Sequence, residues 1–250
     1  MIRGRTIGGL LFTAMVLVPT SLNLFAYAES FDRPLQRKVI DLGLSPDFRP
    51  SDNVHLKLTC TYYRAFMVKQ LEDTTSEGAL GFWIVPAHLG HMPPCIQTHT
   101  VSEKSFGEQW CGYFSGVKRG VVFLDACDGF SGGIGFAAFD SRSGAKLFED
   151  LVSTKNGTID FVHISDENLT LRYMRVVAGD CSVPKLGDAC WNSFKKQPGL
   201  SDAPMPKCSD YEGAEAGKAN SMIAYPVEIQ LFPQPSIRAL SNPVQCWASD

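Results

Sequence analysis

The pentapeptide Gly129-Phe130-Ser131-Gly132-Gly133 is the most enzyme-like feature of this sequence. Gly-x-Ser-x-Gly is the spacing of a nucleophile elbow, and the run Gly120 to Ala126 ahead of it reads as a strand, as an elbow requires. A serine nucleophile needs an imidazole within hydrogen-bond reach. His88 and His163 are the candidates for that base. In an α/β-hydrolase the serine must open a helix, whereas Ile134 to Phe139 reads as a further strand. The structural alternative is that Gly129, Gly132, Gly133 and Gly135 allow a tight loop between two strands to take positive φ.

The serine loop resembles that of chymotrypsin-like proteases, and Trp83-Ile84-Val85-Pro86-Ala87-His88 is similar to their histidine segment. The resemblance implies Ser131 as nucleophile and His88 as its base. Phe130 stands where that family's loop has an acidic residue, and only 43 positions separate His88 from Ser131. A second short stretch, Phe139 to Phe148 with Asp140 ahead of Gly144 and Lys146, resembles the hairpin of propeller blades. A propeller should repeat at blade length, and no such repeat is visible.

Other side chains offer binding chemistry. His88, His91 and His99 surround Cys95 and could bring imidazoles to a metal, but Pro93, Pro94 and the lack of a nearby carboxylate leave the set incomplete. Asp125, Asp128 and Asp140 lie near the glycine-rich loop without the spacing of an EF-hand. No metal and no cofactor is therefore expected. Glu149 and Asp150 are adjacent and would point to opposite faces of a strand, so they do not form an acid and base pair. Among Tyr62, Tyr63, Phe66, Trp83, Trp110, Tyr113 and Trp247 an aromatic platform for a glycan or peptide is conceivable, with Tyr63 and Trp83 the first to test. Burial in the core is the default use of such rings.

The chain that must position these residues opens with an address. Arg3 and Arg5, an apolar stretch from Ile7 to Phe25 and the exit Ala26-Tyr27-Ala28 have the three parts of a secretory signal peptide, with cleavage expected after Ala28. Removing residues 1–28 takes away two arginines and no acid, so 23 basic residues become 21 against 26 acidic ones, a formal charge of -5. No later stretch is long and apolar enough to span a bilayer. A secreted or periplasmic location follows. Cys60, Cys95, Cys111, Cys127, Cys181, Cys190, Cys208 and Cys246 are then read as disulfides. The absence of a Cys-x-x-Cys pair speaks against structural zinc. Eight cysteines allow 105 pairings, of which Cys181 with Cys190, around Pro184 and Gly187, and Cys208 with Cys246 are the most readily suggested.

Alternation of apolar and polar residues over Val54 to Cys60 marks a half-buried strand, and strand-like runs recur at Leu80 to Val85, Trp110 to Val117, Gly120 to Ala126, Ile134 to Phe139, Ile159 to Ile164, Leu169 to Val177 and Met222 to Phe232. Pro226 argues for an edge position for the last. Leu147, Phe148, Leu151 and Val152 suit a short helix as well as a strand. The fold class expected is mainly β: an antiparallel sandwich, barrel or propeller-like meander with little helix, stabilised by disulfides. One domain over 29–250 is expected, with an irregular lead-in over 29–53 and a long loop over 195–220 that carries a short helix around Tyr211 to Ala219. Asn156-Gly157-Thr158 and Asn168-Leu169-Thr170 are glycosylation acceptors in a eukaryotic secretory pathway.

With 44% hydrophobic residues, 20% charged and a net charge of -3, the chain can close a full core and lacks the basic excess of a phosphate-backbone partner, so nucleic acid is disfavoured. The reading is an exported, disulfide-stabilised β-rich protein with a binding or structural role and no catalytic machinery. Its alternative is a secreted serine hydrolase using Ser131.

Overall fold

The computed structural model describes residues 30–88, 91–108, 110–155, 158–163, 168–211, 218–241 and 243–249, with the backbone alone at His163. The expected signal peptide, Asn156 and most of the expected helix after Tyr211 lie outside the described residues.

The chain forms two antiparallel sheets. The first has five strands in sequential order: β1 (Gln36–Leu44), β2 (His55–Tyr62), β3 (Phe66–Asp73), β4 (Gly81–Pro86) and β5 (Lys104–Phe106). The second has nine: β6 (Gly112–Lys118), β7 (Val121–Phe130), β8 (Gly133–Asp140), β9 (Lys146–Ser153), β10 (Asp160–His163), β11 (Leu169–Ala178), β12 (Ser221–Gln230), β13 (Ser236–Ala239) and β14 (Gln245–Ala248). Two short helices, α1 (Val183–Leu186) and α2 (Asp188–Phe194), interrupt it. The antiparallel, helix-poor class expected from the spacing of the strand runs is the one found.

The buried runs in β7 and β8 follow from their place in the middle of the stack. Side chains alternate across a strand. Val122, Leu124, Ala137 and Phe139 therefore pack on Val68, Phe82, Ile84 and Phe106 of the first sheet. Val121, Phe123, Phe136 and Ala138 face the opposite way, into the larger core with Leu171, Tyr225, Trp191 and Phe194. That core closes because the second sheet folds back on itself: β9 and β11 share one paired position, Val152 with Arg175, and beyond it Phe161 of β10 returns to within 5.3 Å of Phe123 of β7. The product is a layered sandwich, with neither a closed barrel nor propeller blades.

All eight cysteines are paired: Cys60–Cys95, Cys111–Cys127, Cys181–Cys190 and Cys208–Cys246. The two pairs suggested by sequence are among them. Between Cys181 and Cys190, where a loop bearing Pro184 and Gly187 was expected, stand α1 and the start of α2, which bury Trp191 and Phe194.

Several local expectations change. The lead-in over 29–53 contains the nine-residue β1, an edge strand so exposed along its length that no apolar alternation marks it. The stretch around Leu147 and Phe148 is the strand β9. Pro226 sits in an interior strand rather than at an edge, because β12 is flanked by β14 at Ser221–Ala224 and by β13 at Val227–Gln230, and Pro226 falls in the gap between them. Its carbonyl faces that gap, accepting from Leu240 N at 2.9 Å, so the proline nitrogen also points where no ladder bond is required.

Candidate functional site

Three hairpin turns and the segment entering β1 meet at the seam between the two sheets, and they enclose a cleft of about 650 Å³. That volume is in the range of sites for small ligands. Each segment is held by local bonds that the sequence supplies.

The entering segment laces both sheets. Asp32 N donates to Val117 O of β6 at 2.8 Å, and Leu35 N donates to Tyr62 O of β2 at 2.8 Å. Phe31 fills the space over Gly116, its ring centroid 4.9 Å from that of Phe161. The Asp32 carboxylate accepts the amide of Arg119 at 2.7 Å and lies 3.7 Å from Lys118 Nζ, which also donates to Ser30 O at 2.7 Å.

The β2–β3 turn closes through Tyr63 N donating to Phe66 O at 2.8 Å, and Ala87 N donates to Ala65 O behind it. The β6–β7 turn has positive φ at both central residues, 51° at Arg119 and 78° at Gly120, the geometry that matches strand twist in two-residue hairpins. In the β8–β9 turn the Asp140 carboxylate accepts the amides of Arg142 and Ser143 and the Ser143 hydroxyl. Burial raises the Asp140 pKa, but hydrogen bonds from Ser143 and Arg142 outweigh it and hold the carboxyl below its ordinary value. Ser141 N donates to Gly120 O at 2.9 Å, which fixes this turn to its neighbour.

The floor of the cleft is apolar. Tyr63, Phe66 and Val117 are buried, with the Tyr63 and Phe66 rings stacked at 5.6 Å, while Leu35 at the mouth is 64% exposed. Burial pushes the Tyr63 hydroxyl up to about 12, with the Asp32 carboxylate adding to the rise and a backbone hydrogen bond at Val117 opposing it. The walls are basic: each of the four segments contributes one exposed arginine, Arg33, Arg64, Arg119 and Arg142. Asp32 is the sole carboxylate among the described lining residues, and it is engaged by Arg119 N and Lys118.

The two aromatic candidates are separated by the fold. Tyr63 lines this cleft, on the face of the first sheet turned towards the second. Trp83 is on the outer face, its ring 5.3 Å from Lys69 Nζ and 4.9 Å from the His99 ring. There Lys69, only 2% exposed, is paired with Glu103, which His99 Nδ1 meets at 3.1 Å.

Ser131 and Gly132 form the β7–β8 turn, with φ 45° and 86°, so the glycine-rich pentapeptide makes a two-residue hairpin. Ser131 O accepts the Trp247 indole at 3.0 Å, and strand β8 follows where an α/β-hydrolase elbow would open a helix. His88 lies beyond β4 and pairs through its backbone with His91; His163 ends β10, and its side chain lies outside the described atoms. Among the described residues, no three of His, Cys, Asp and Glu converge as a metal site. Glu149 and Asp150 part to opposite sides as adjacent strand residues do, Glu149 to Lys146 on the surface and Asp150 to Arg175 inside.

The four arginines are the residues that sequence reasoning missed. Arg64, Arg119 and Arg142 lie in hairpin turns and Arg33 three positions ahead of β1, and two of them stand just ahead of a glycine, in Arg119-Gly120 and Arg142-Ser143-Gly144. That placement at turn tips was the available clue. No family model matches the chain, and neither a curated protein nor a solved structure matches it.

Proposed function

We propose that this is an exported binding protein whose ligand sits in the cleft at the seam of the two sheets. The carrying observation is convergence: four separate segments from both sheets line one cleft, and each brings an exposed arginine to its wall. Four disulfides suit an oxidising compartment. Loops presented by a rigid β scaffold are a common way to build a binding site.

The test is a small-molecule fragment screen by ligand-observed NMR. Ala65 is exposed at the cleft wall, so Ala65→Trp should fill the space without disturbing the core. Fragments bound by the wild type should be lost in Ala65→Trp and retained in Trp83→Phe, whose site is on the outer face. Hits that survive Ala65→Trp would place the ligand elsewhere and refute the reading.

A further inference from the structure

We infer that the ligand is an amphipathic anion of metabolite size, with an apolar body and at least two oxyanion groups. This rests on the cleft being the binding site, and it adds the chemistry of what enters.

The first ground is where the arginines are. The chain has nine arginines after residue 28 and a net negative charge, yet four of the nine line this one cleft. Of the other five, Arg172 and Arg238 are paired with Glu228 and Arg175 with Asp150, while Arg37 and Arg49 stand apart from the cleft. Arg33, Arg64 and Arg142 make no ion pair among the described residues. Positive charge gathered in a concave site of an otherwise acidic protein attracts anions to that site and away from the rest of the surface.

The second ground is residue type. Guanidinium groups are planar, always charged, weakly hydrated and able to grip an oxyanion with two parallel N–H groups. A single monoanion balances only one of the four charges and leaves the others repelling one another. More than one negative group relieves that repulsion. The third ground is the floor. Leu35, Tyr63, Phe66 and Pro86 line the same cleft as the arginines, and the wet face of Leu35 gains by being covered. The cleft volume and the net negative charge of the chain favour a small molecule over a charged polymer.

The experiment uses the oxidised, processed protein and four probes: the aromatic disulfonate bis-ANS, the uncharged N-phenyl-1-naphthylamine, inorganic pyrophosphate and a heparin oligosaccharide. Binding of the two dyes is read by fluorescence and that of the other two by displacement. Bis-ANS should bind most tightly, and raising ionic strength from about 0.01 to about 1 M should weaken it strongly. Arg64→Gln with Arg142→Gln should weaken it about tenfold or more, the loss expected for charge-assisted hydrogen bonds. Unchanged thermal melting of that variant would show that the fold is intact.

Equal affinity for the uncharged dye, or indifference to the arginine substitutions while Ala65→Trp still abolishes binding, would overturn the anion and leave the cleft standing. Pyrophosphate matching bis-ANS would overturn the apolar body, and tighter binding of the heparin chain would overturn the small size. Bis-ANS binding untouched by Ala65→Trp would remove the cleft itself.

Discussion

At the scale of single residues, the site depends on side chains that never touch a ligand. Asp140 is the clearest case. Its carboxylate shapes the turn that carries Arg142, and Ser141 of that turn is bonded to the neighbouring turn at Gly120. Asp140→Ala should cost about 1 kcal/mol, the usual worth of such a cap. It should also weaken bis-ANS several-fold by releasing Arg142. Asp140→Asn keeps the accepting oxygen and should restore most of the binding; calorimetry and dye titration on both variants check this. A loss in Asn as large as in Ala would mean that charge, and not turn geometry, is what Asp140 supplies. Only part of this site was legible in the sequence. Tyr63 is conspicuous by type, but nothing in a linear chain says that positions 33, 64, 119 and 142 meet. The Gly-x-Ser-x-Gly spacing is ambiguous for a related reason: glycines flanking a serine serve an elbow and a tight hairpin equally well, and here they make the hairpin.

At the scale of elements, strands are bound to one another by charge as well as by backbone ladders. Glu228 of β12 lies directly opposite Arg172 of β11 and Arg238 of β13, and accepts from both. Burial raises its pKa, but the hydrogen bonds and charges of Arg238 and Arg172 outweigh it, so Glu228 titrates below its ordinary value in the folded protein. A carboxyl that is more acidic folded than unfolded contributes stability that is present above its unfolded pKa of 4.5 and is lost as pH falls below it towards the depressed value. Urea unfolding at a series of pH values should therefore show a loss on acidification that is smaller by about 1 kcal/mol in Glu228→Gln. An unaltered acid slope would show that the trio contributes no net stability. Strands such as these were legible where one face is wet or where apolar residues run together. Those missed have physical disguises. β1 is an exposed edge with no buried stripe, and β3 carries Lys69 where an apolar residue would have revealed it, a lysine tolerated because Glu103 neutralises it beneath the segment running to β5.

Across the whole molecule, the cysteines divide the protein into separately clamped parts. Cys60–Cys95 lies within the region of the first sheet, and Cys111–Cys127, Cys181–Cys190 and Cys208–Cys246 within that of the second. Closing longer loops removes more entropy from the unfolded chain. Replacing Cys208 and Cys246, 38 positions apart, by serine should thus cost about 4 kcal/mol, and replacing Cys181 and Cys190, nine apart, about 2.5 kcal/mol. Denaturant titration of the two double variants gives the order, and the reverse order would place the effect in the native state. No sulfur bridge joins one sheet to the other. They are held by the packing around Phe82 and Leu124, by the short link between β5 and β6, by the lacing of residues 30–35, and by hydrogen bonds such as Ala79 N to Gly112 O and Phe114 N to the Gln70 side chain. The joint at the mouth of the cleft therefore carries no covalent clamp, and a guest gripping arginines from both sides of it would act as a removable rivet, stiffening the protein in proportion to how much of the guest is present.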